Sequence, residues 1–363
     1  MVKKSPEISI RPLTTLDPAR FETPAILKRV TAATRELAEL KGVAASIPNQ
    51  QILIRALGLQ EAKDSSEIEN IVTTHDELFR DAASVQGSGS PAAKEVLQYR
   101  QALNTGFGLV RKHGALTNNH ILRIQAELEM NEAGFRKVPG TTLKNPATNE
   151  VVYTPPQNAS EIKRLMGDLE SFINAEPPYA ADPLIRMALI HHQFESIHPF
   201  YDGNGRTGRI VNVLYLVKEG LLDIPVLYLS RHIVRTKQEY YRLLQTVREE
   251  DAWEEWVLYM LTAVEVTARE AIKAVEAIRE AILEIKHQVR RDFKFYSQDL
   301  INHLFSHPYT RVEYARQELD VTRITATKYL DQLAASGVLR KMKVGRSNFY
   351  INTRLVDILA GGA

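Results

Sequence analysis

The sequence has no cysteine, and this absence excludes disulfide bonds, thiol nucleophiles and thiolate metal sites. An excess of one charge is also missing: 46 Lys and Arg residues face 44 Asp and Glu residues, for a formal net charge of +2. The whole-chain charge therefore does not indicate a nucleic-acid partner. Long apolar runs are lacking too, because the most apolar stretch, residues 210–229, is interrupted by Lys218, Glu219, Asp223 and Pro225. Together with a charged amino terminus, these absences predict a cytoplasmic protein without a membrane-spanning segment.

A chain of 363 residues is long enough for two or three domains. Apolar residues recur at three- and four-residue spacing from Ile26 to Leu59 and again after Ser160, which predicts a mainly α fold. The exception is a pair of strand-forming runs, Thr141–Leu143 and Val151–Tyr153, which flank turn residues and predict a β-hairpin. A Gly/Ser/Pro cluster at Gln86–Pro91 predicts a flexible joint.

The last part of the chain has a different character. Two short helical runs, Tyr309–Leu319 and Arg323–Ser336, precede a basic hairpin at residues 337–351, and this order predicts a winged helix-turn-helix. Its predicted recognition helix and wing carry the cations Arg323, Lys328, Arg340, Lys341, Lys343 and Arg346. Such a domain binds either DNA or protein, and both partners stay open. We predict three parts: an amino-terminal helical region 1–100, a catalytic core 101–290 and a winged-helix domain 291–363.

Two glycines surround an asparagine at Asp202-Gly-Asn-Gly205, immediately before a helix-compatible run that starts near Arg206. Glycines let phosphate oxygens approach the backbone, and the amides and dipole of a helix amino terminus stabilise their charge. Arg206 and Arg209 lie three positions apart and would project from neighbouring positions on this helix, where forked hydrogen bonds can hold phosphate. Asp202 offers a hard carboxylate to Mg2+, which would bridge the phosphates. The segment predicts a triphosphate site.

His198 directly precedes Pro199, which ends the helix before it and pushes its neighbour toward an extended conformation. We expect His198 to lie beside the phosphate site. A neutral imidazole can accept the proton of an incoming hydroxyl, and such general-base catalysis contributes about 100- to 10,000-fold. The alternative is a metal site formed by His191, His192, Glu195 and His198. However, they form no His-Glu-x-x-His motif, and Pro199 breaks the helix that the ligands would share.

The segment His198-Pro-Phe-Tyr-Asp-Gly-Asn-Gly-Arg-Thr-Gly-Arg209 resembles the Fic-family signature His-x-Phe-x-Asp/Glu-Gly-Asn-Gly-Arg-x-x-Arg at every specified position. The resemblance implies a Fic-type helical core in which His198 is the general base, Asp202 holds Mg2+ and Phe200 anchors the loop. It also implies AMP transfer from ATP rather than the kinase-like chemistry of the Doc branch, because the complete Gly-Asn-Gly-Arg is kept. The ATP-binding residues that it implies are Gly203, Asn204, Gly205, Arg206, Thr207, Gly208 and Arg209.

Two further features are similar to the family. The hairpin resembles its flap, where a strand edge at Val152 and Tyr153 would hold an extended target segment by main-chain pairing. An ordinary surface hairpin is the alternative. Tyr240 and Tyr241 lie where the family has adenine-pocket aromatics, and we expect Tyr241 to contact the base. Packing between core helices is the alternative for both tyrosines.

The segment from Asp64 to Asn70 has two interpretations. Ser66 and Glu69 fit a capping box that opens a helix. Beside a complete Fic motif, however, Ser65-x-x-x-Glu69-Asn70 resembles the inhibitory Ser/Thr-x-x-x-Glu-Gly/Asn motif that lies amino-terminal to the core in one Fic class. This resemblance implies that the Glu69 carboxylate pairs with Arg209 and takes the place of the γ-phosphate.

The first function hypothesis is a protein adenylyltransferase that moves AMP from ATP to Ser, Thr or Tyr hydroxyls and is inhibited by Glu69. The alternative is a DNA-binding transcriptional regulator whose Fic core serves as a nucleotide sensor. His198 favours the enzyme, because a sensor needs a phosphate site but no base. A toxin with a separate antitoxin is less in keeping with an inhibitory motif in the same chain. Three questions stay open: which protein is the target, whether the same site removes AMP, and whether the chain forms a homodimer.

Overall fold

The computed structural model describes residues 10–83, 90–145, 148–345 and 347–361. These residues form mainly helices with a few short strands, which confirms the predicted mainly α fold. The helices are α1 Pro24–Ala45, α2 Gln51–Ile68, α3 His75–Ala82, α4 Pro91–His113, α5 Asn118–Glu129, α6 Ala159–Ile173, α7 Pro183–Ile197, α8 Asn204–Lys218, α9 Leu229–Arg235, α10 Lys237–Glu250, α11 Trp253–Asp292, α12 Gln298–Ser306, α13 Val312–Glu318, α14 Arg323–Ala335 and α15 Thr353–Leu359. The strands are β1 Leu143–Lys144, β2 Val151–Tyr153, β3 Tyr309–Thr310, β4 Arg340–Val344 and β5 Ser347–Ile351.

Several element boundaries differ from those predicted. The apolar periodicity of Ile26–Leu59 belongs to two helices, because the chain leaves the helix after α1 and Pro48 precedes the start of α2. Tyr309 and Thr310 form β3 rather than the start of a helix, since they pair with β5. Of the joint predicted at Gln86–Pro91, residues 86–89 lie outside the described residues, and α4 begins at Pro91.

The described residues of Met1–Ala38 and Gln98–Ala268 form one compact unit, which contains α5–α10 and the antiparallel β1–β2 hairpin. Its helix α7 is buried on all sides from Leu184 to Ile197. Polar groups buried in or against such a helix need partners inside the protein. The indole N–H of Trp256, for example, donates to the backbone carbonyl of Ala188 in α7 at 2.8 Å. Helix α8 packs against α7, and the turn between them carries the Asp202-Gly-Asn-Gly205 segment.

The described residues of Glu39–Leu97 and Arg269–Ala363 form a second compact unit, in which α2 and α3 pack with α12–α15 and a three-stranded sheet. The sheet has the order β3–β5–β4 with antiparallel neighbours. Tyr309 joins the sheet to α3, because its hydroxyl donates to Asp76 Oδ1 at 2.5 Å and its ring packs on Phe79.

The elements α13, α14 and the β4–β5 hairpin follow one another in the order expected of a winged helix, whose identification stays a prediction. The predicted division of the chain at residues 100 and 290 stays a prediction as well. Among the helices that the structure describes, none combines the length and the apolarity needed to cross a membrane.

Candidate active site

His198 is half-buried and follows the last residue of α7, at the start of the turn into α8. Its backbone is left-handed, with φ 48° and ψ 58°, and its N–H donates to the Phe194 carbonyl oxygen at 2.9 Å. The extended conformation predicted before Pro199 is therefore wrong. A left-handed residue closes the final helical turn and redirects the chain, and here this capping geometry outweighs the preference that proline imposes on its neighbour.

Arg136 fixes the backbone of this turn. Its Nε donates to the His198 carbonyl oxygen at 2.8 Å, and its backbone N–H donates to the Pro199 carbonyl oxygen at the same distance. A third bond runs from Nη2 to the Pro156 carbonyl oxygen beyond the hairpin, at 2.9 Å. The side chain is buried, and burial lowers the pKa of the guanidinium. Sequence reasoning missed Arg136, because no local pattern distinguishes it from a surface arginine.

The loop after Pro199 is closed by the side chain of Asn204. Its Oδ1 accepts from the Phe200 N–H at 2.8 Å, and its Nδ2 donates to the Phe200 carbonyl oxygen at 2.9 Å. The Phe200 ring is fully buried and packs against Phe135 and Phe194 at 5.4 and 6.4 Å between ring centroids. Phe200 thus lies where an anchor of the loop is expected. The side-chain amide of Asn204 is engaged in these two hydrogen bonds. Its backbone N–H is therefore the group that Asn204 can offer to a ligand.

Helix α8 begins at Asn204 with Gly203 as its N-cap. Gly203 has φ +75°, and a β-carbon there would collide with the Glu129 carboxylate, so the position requires glycine. The Gly203 N–H donates to Asp202 Oδ1 at 2.8 Å, and Asp202 is exposed. The first amides of a helix have no acceptor within the helix, and the positive end of its dipole attracts anions. This end of α8, which includes the partly exposed Gly205, can receive phosphate oxygens.

Arg206 forms a buried ion pair that the sequence did not indicate. Its Nη2 lies 2.8 Å from Oε1 of Glu129, the last residue of α5, and the two side chains are only 5% and 13% exposed. Glu129 lies 77 positions away in the sequence and belongs to no motif there, so only the tertiary structure reveals it. The pair holds one of the two predicted phosphate-binding arginines beside the α8 amino terminus.

The next turn of α8 is buried. Thr207 is fully buried, and Gly208 faces α7, where an added β-carbon would lie 2.6 Å from Glu195 Oε1 and 3.0 Å from Phe194 Cδ1. Gly208 therefore allows the close approach of α7 and α8. Arg209 is 2% exposed. Its charge lies close enough to lower the pKa of His191, although burial is the larger cause, and together they bring that pKa to about 3.

His191 and His192 belong to the core. His191 Nε2 lies 2.8 Å from the Tyr240 hydroxyl, and His192 Nε2 lies 3.2 Å from the Leu244 carbonyl oxygen. Tyr240 is 2% exposed, whereas Tyr241 is 46% exposed and packs edge-on against it at 5.2 Å. Tyr240 therefore packs in the core, whereas Tyr241 has the exposure that contact with an adenine base requires.

The hairpin has one anchored and one exposed side. In β2, Val151 and Val152 are 43% and 45% exposed, whereas Tyr153 is buried. The Tyr153 hydroxyl donates to the Ser196 carbonyl oxygen at 2.8 Å, and the Arg248 guanidinium lies 4.0 Å above its ring. Tyr153 therefore fastens the hairpin to α7, and the backbone near Val152 is the part that a target segment can reach.

The predicted inhibitory residues lie in and after α2. Ser65 is buried inside this helix, and Glu69 is an exposed residue that caps its carboxyl end. The capping-box interpretation of Ser66 and Glu69 is wrong, because the helix ends here instead of beginning. The amino-terminal cap belongs to Thr74, whose hydroxyl accepts from the Glu77 N–H at 3.2 Å at the start of α3.

A helix amino terminus, two buried arginines and a histidine on the adjoining turn give this helical protein a candidate anion site between consecutive helices. Family models match along most of the chain: "Fic/DOC family N-terminal" at residues 27–108, "Fic/DOC family" at 115–216 and "Protein adenylyltransferase SoFic-like, C-terminal domain" at 280–355. The chain belongs to the Fic/DOC family. The roles assigned above to individual residues stay predictions.

Curated relatives match over short segments. "Protein adenylyltransferase Fic" of Culex quinquefasciatus is 33% identical over 96 residues, which cover 26% of this chain and 18% of the mosquito protein. "Protein adenylyltransferase fic-1" of Caenorhabditis elegans is 29% identical over 128 residues, 35% of this chain and 24% of that protein. This chain thus spans about a fifth of the length of these relatives.

Solved structures share the fold over longer ranges. A Fic family protein from Desulfovibrio desulfuricans G20 has a TM-score of 0.60 at 20% identity, covering 93% of this chain and 98% of the other. Fic-1 from C. elegans, residues 134–508, has a TM-score of 0.53 at 21% identity, covering 70% of this chain and 74% of the other. At this level of identity, the likeness concerns the fold.

Proposed function

We propose that this chain is a cytoplasmic protein adenylyltransferase, which transfers AMP from ATP to a Ser, Thr or Tyr hydroxyl of a target protein. The observation that carries the proposal is the turn between α7 and α8, where a left-handed His198 stands beside a helix amino terminus that is followed by Arg206 and Arg209. The names of the curated relatives favour the same activity.

In the proposed reaction, the hydroxyl oxygen of the target attacks the α-phosphorus of ATP. His198 accepts the hydroxyl proton, the bond from the α-phosphorus to the bridging oxygen breaks, and diphosphate leaves. The phosphates are held by the backbone N–H groups at the start of α8 and by the guanidinium groups of Arg206 and Arg209, which stabilise the phosphate charge. Arg136 holds the backbone carbonyl of His198, the proposed general base. This bond matters because precise placement of the reacting groups supplies much of the rate enhancement in such transfers.

Asp202 fits the role of the protein ligand to Mg2+. It is exposed on the loop, and the hydrogen bond from the Gly203 N–H to Oδ1 orients its carboxylate. Mg2+ is commonly held by one or two carboxylates together with substrate phosphates, so a single aspartate is an adequate donor set. When bound, the ion would neutralise phosphate charge.

Labelled ATP tests the donor assignment. With ATP labelled at the α-phosphate, we expect label on a lysate protein, and with ATP labelled at the γ-phosphate we expect none. His198→Ala should reduce the labelling by at least about 100-fold, the lower bound for loss of a general base. Transfer of the γ label would contradict adenylyl transfer. Mass spectrometry of the labelled protein then identifies AMP and the modified side chain.

We further propose that Glu69 inhibits the transfer. The proposal rests on the resemblance of Ser65-x-x-x-Glu69-Asn70 to the inhibitory motif, which implies that the Glu69 carboxylate takes the place of the γ-phosphate at Arg209. Removal of AMP by the same site would be detected as loss of label from a purified, modified target after ATP is withdrawn.

DNA binding by the carboxy-terminal part is the second candidate function. Helix α14 and strand β4 present exposed cations, and Ile324 on α14 is 83% exposed. Lys341 contributes less to this surface, because it pairs with Asp331 at 2.6 Å, and Arg346 lies outside the described residues. The remaining cations are Lys328, Arg340, Lys343 and Arg323, whose Nη2 lies 3.6 Å from Glu313 Oε1.

A shift of duplex DNA that weakens as salt rises would support this function, because phosphate contacts release counterions. Arg323→Ala combined with Lys328→Ala should remove the shift, and its absence in the unmodified protein at low salt would exclude the function. Light scattering of the same preparation measures whether the protein is a homodimer.

A further inference from the structure

Two histidines and one glutamate meet where α12 and α13 end. His303 lies in α12, and His307, four positions after His303, directly follows the last residue of this helix, so both side chains share one face. Glu318, the last residue of α13, approaches both: its Oε2 lies 2.7 Å from His303 Nδ1, and its Oε1 lies 2.8 Å from His307 Nε2. The potential metal-ligand atoms of these three residues, one from each, all lie within 4.8 Å of one another. Among the residues that the structure describes, this is the group of three or more such side chains that could hold a metal ion.

We propose that His303, His307 and Glu318 form a binding site for one divalent transition-metal ion of the zinc type. Two imidazole nitrogens and a carboxylate oxygen are donors that Zn2+ accepts in proteins. A tetrahedral ion with bonds of 2.0–2.1 Å places its ligand atoms roughly 3.3 Å apart. Each histidine and the carboxylate must therefore separate by roughly half an ångström, which side-chain rotation can supply.

The surroundings of His303 orient it for this role. Its Nε2 lies 2.7 Å from the Thr310 hydroxyl, so an N–H on Nε2 can donate to Thr310 and leave the lone pair of Nδ1 for the ion.

A fourth ligand has room at the surface. His303 and Glu318 line a pocket of about 220 Å3 together with Asn302 and Ser306 of α12. Three protein ligands and one water complete a tetrahedral zinc site, and a water needs polar partners of the kind that this pocket supplies.

One cation already interacts with this group, and it makes the proposal testable. Arg55 of α2 places Nη1 at 3.1 Å from Glu318 Oε1 and at 3.2 Å from His307 Nε2. A metal and this guanidinium compete for the same carboxylate oxygen. Removing the guanidinium should therefore strengthen metal binding, whereas it would only weaken a cluster of simple hydrogen bonds.

The experiment is a calorimetric titration of the tag-free full chain with Zn2+, in excess Mg2+ and without ATP. We expect one ion per chain, tighter binding in Arg55→Gln, and a loss in His307→Ala and Glu318→Gln that exceeds the 10- to 100-fold effect of an outer-shell group. Co2+ gives an independent readout, since its visible absorption reports tetrahedral coordination by nitrogen and oxygen. His287→Ala, an exposed histidine on α11, is the matched control and should bind like the unmodified chain.

Two results would overturn the proposal: no binding by either the unmodified chain or Arg55→Gln, or binding that His307→Ala and Glu318→Gln leave unchanged. His307 and Glu318 are not fully buried, with side chains 19% and 36% exposed, so these variants are expected to fold, and circular dichroism checks this. No nucleotide or target enters the measurement, and it therefore succeeds or fails independently of the adenylyltransferase activity.

Discussion

The ion pair between Arg206 and Glu129 is almost completely withdrawn from water. Glu129→Gln removes the charge that compensates the guanidinium and should lower the free energy of unfolding by about 2 kcal/mol, since hydrogen bonds to charged groups are worth more than neutral ones. Urea unfolding measures the change. Glu132→Gln, an exposed glutamate beyond the end of α5, serves as the control and should change stability little. Equal stability of the two variants would contradict a stabilising role for the buried pair.

The buried His191 makes stability depend on pH. Burial, reinforced by the charge of Arg209, lowers its pKa to about 3, below the ordinary value of 6.5. The unfolded chain therefore binds a proton that the folded chain rejects, and the stability present above pH 6.5 is lost as the pH falls toward 3. His191→Gln should make the decline between about pH 6 and 4 shallower by about 1.4 kcal/mol per pH unit.

Urea unfolding of both proteins at several pH values tests this slope. His287→Gln changes an exposed histidine and should leave the slope as it is. If the His191→Gln variant lost stability as steeply as the unmodified chain, the proton would have to bind elsewhere.

At the scale of elements, α2 ends where the predicted inhibitory motif lies. Glu69→Gly should raise adenylyl transfer by at least 10-fold, roughly the effect of removing one competing charged contact worth 1.4 kcal/mol. The fold should tolerate the change, because Glu69 is exposed and lies after the last residue of α2. Incorporation of α-labelled AMP measures the activity. Glu67→Gly, two residues earlier, should not activate, and unchanged labelling in Glu69→Gly would refute inhibition.

Elements with strong local signals could be predicted from the sequence. The hairpin forms at Val151–Tyr153, and α8 begins within the glycine-rich segment, because turn residues and apolar spacing act over a few positions. Glu129 and Arg136 escaped prediction because they act on residues 77 and 62 positions away. Ser66 and Glu69 misled for a related reason. A capping box needs only two residues, whereas burial along α2 extends the helix past Ser66 to Ile68, so that Glu69 follows the end of a helix.

At the scale of the molecule, distant parts of the sequence share one compact unit. α2 and α3 pack against α12, α15 and β3, and the Gln60 side chain donates to the Leu359 carbonyl oxygen. A chain that stops after Asp292 lacks these partners, and the apolar surface of α2 would meet water. We expect hydrogen exchange of residues 51–82 to accelerate, with little change in α5 and α6. Unaltered exchange at 51–82 would show that α2 and α3 hold their structure without the carboxy-terminal elements.

If His198 is the proposed base, its left-handed backbone sets catalysis against stability. In this conformation a residue with a β-carbon is destabilised by about 1 kcal/mol or more, whereas glycine is not. His198→Gly should thus be as stable as the active chain or more so, while it transfers no AMP, a result that paired unfolding and labelling assays would reveal. Under the proposed function, loss of the base then leaves a well-folded protein that keeps the proposed phosphate site. An inactive descendant of such a chain could persist as a nucleotide-responsive binding protein, with its former catalytic turn intact.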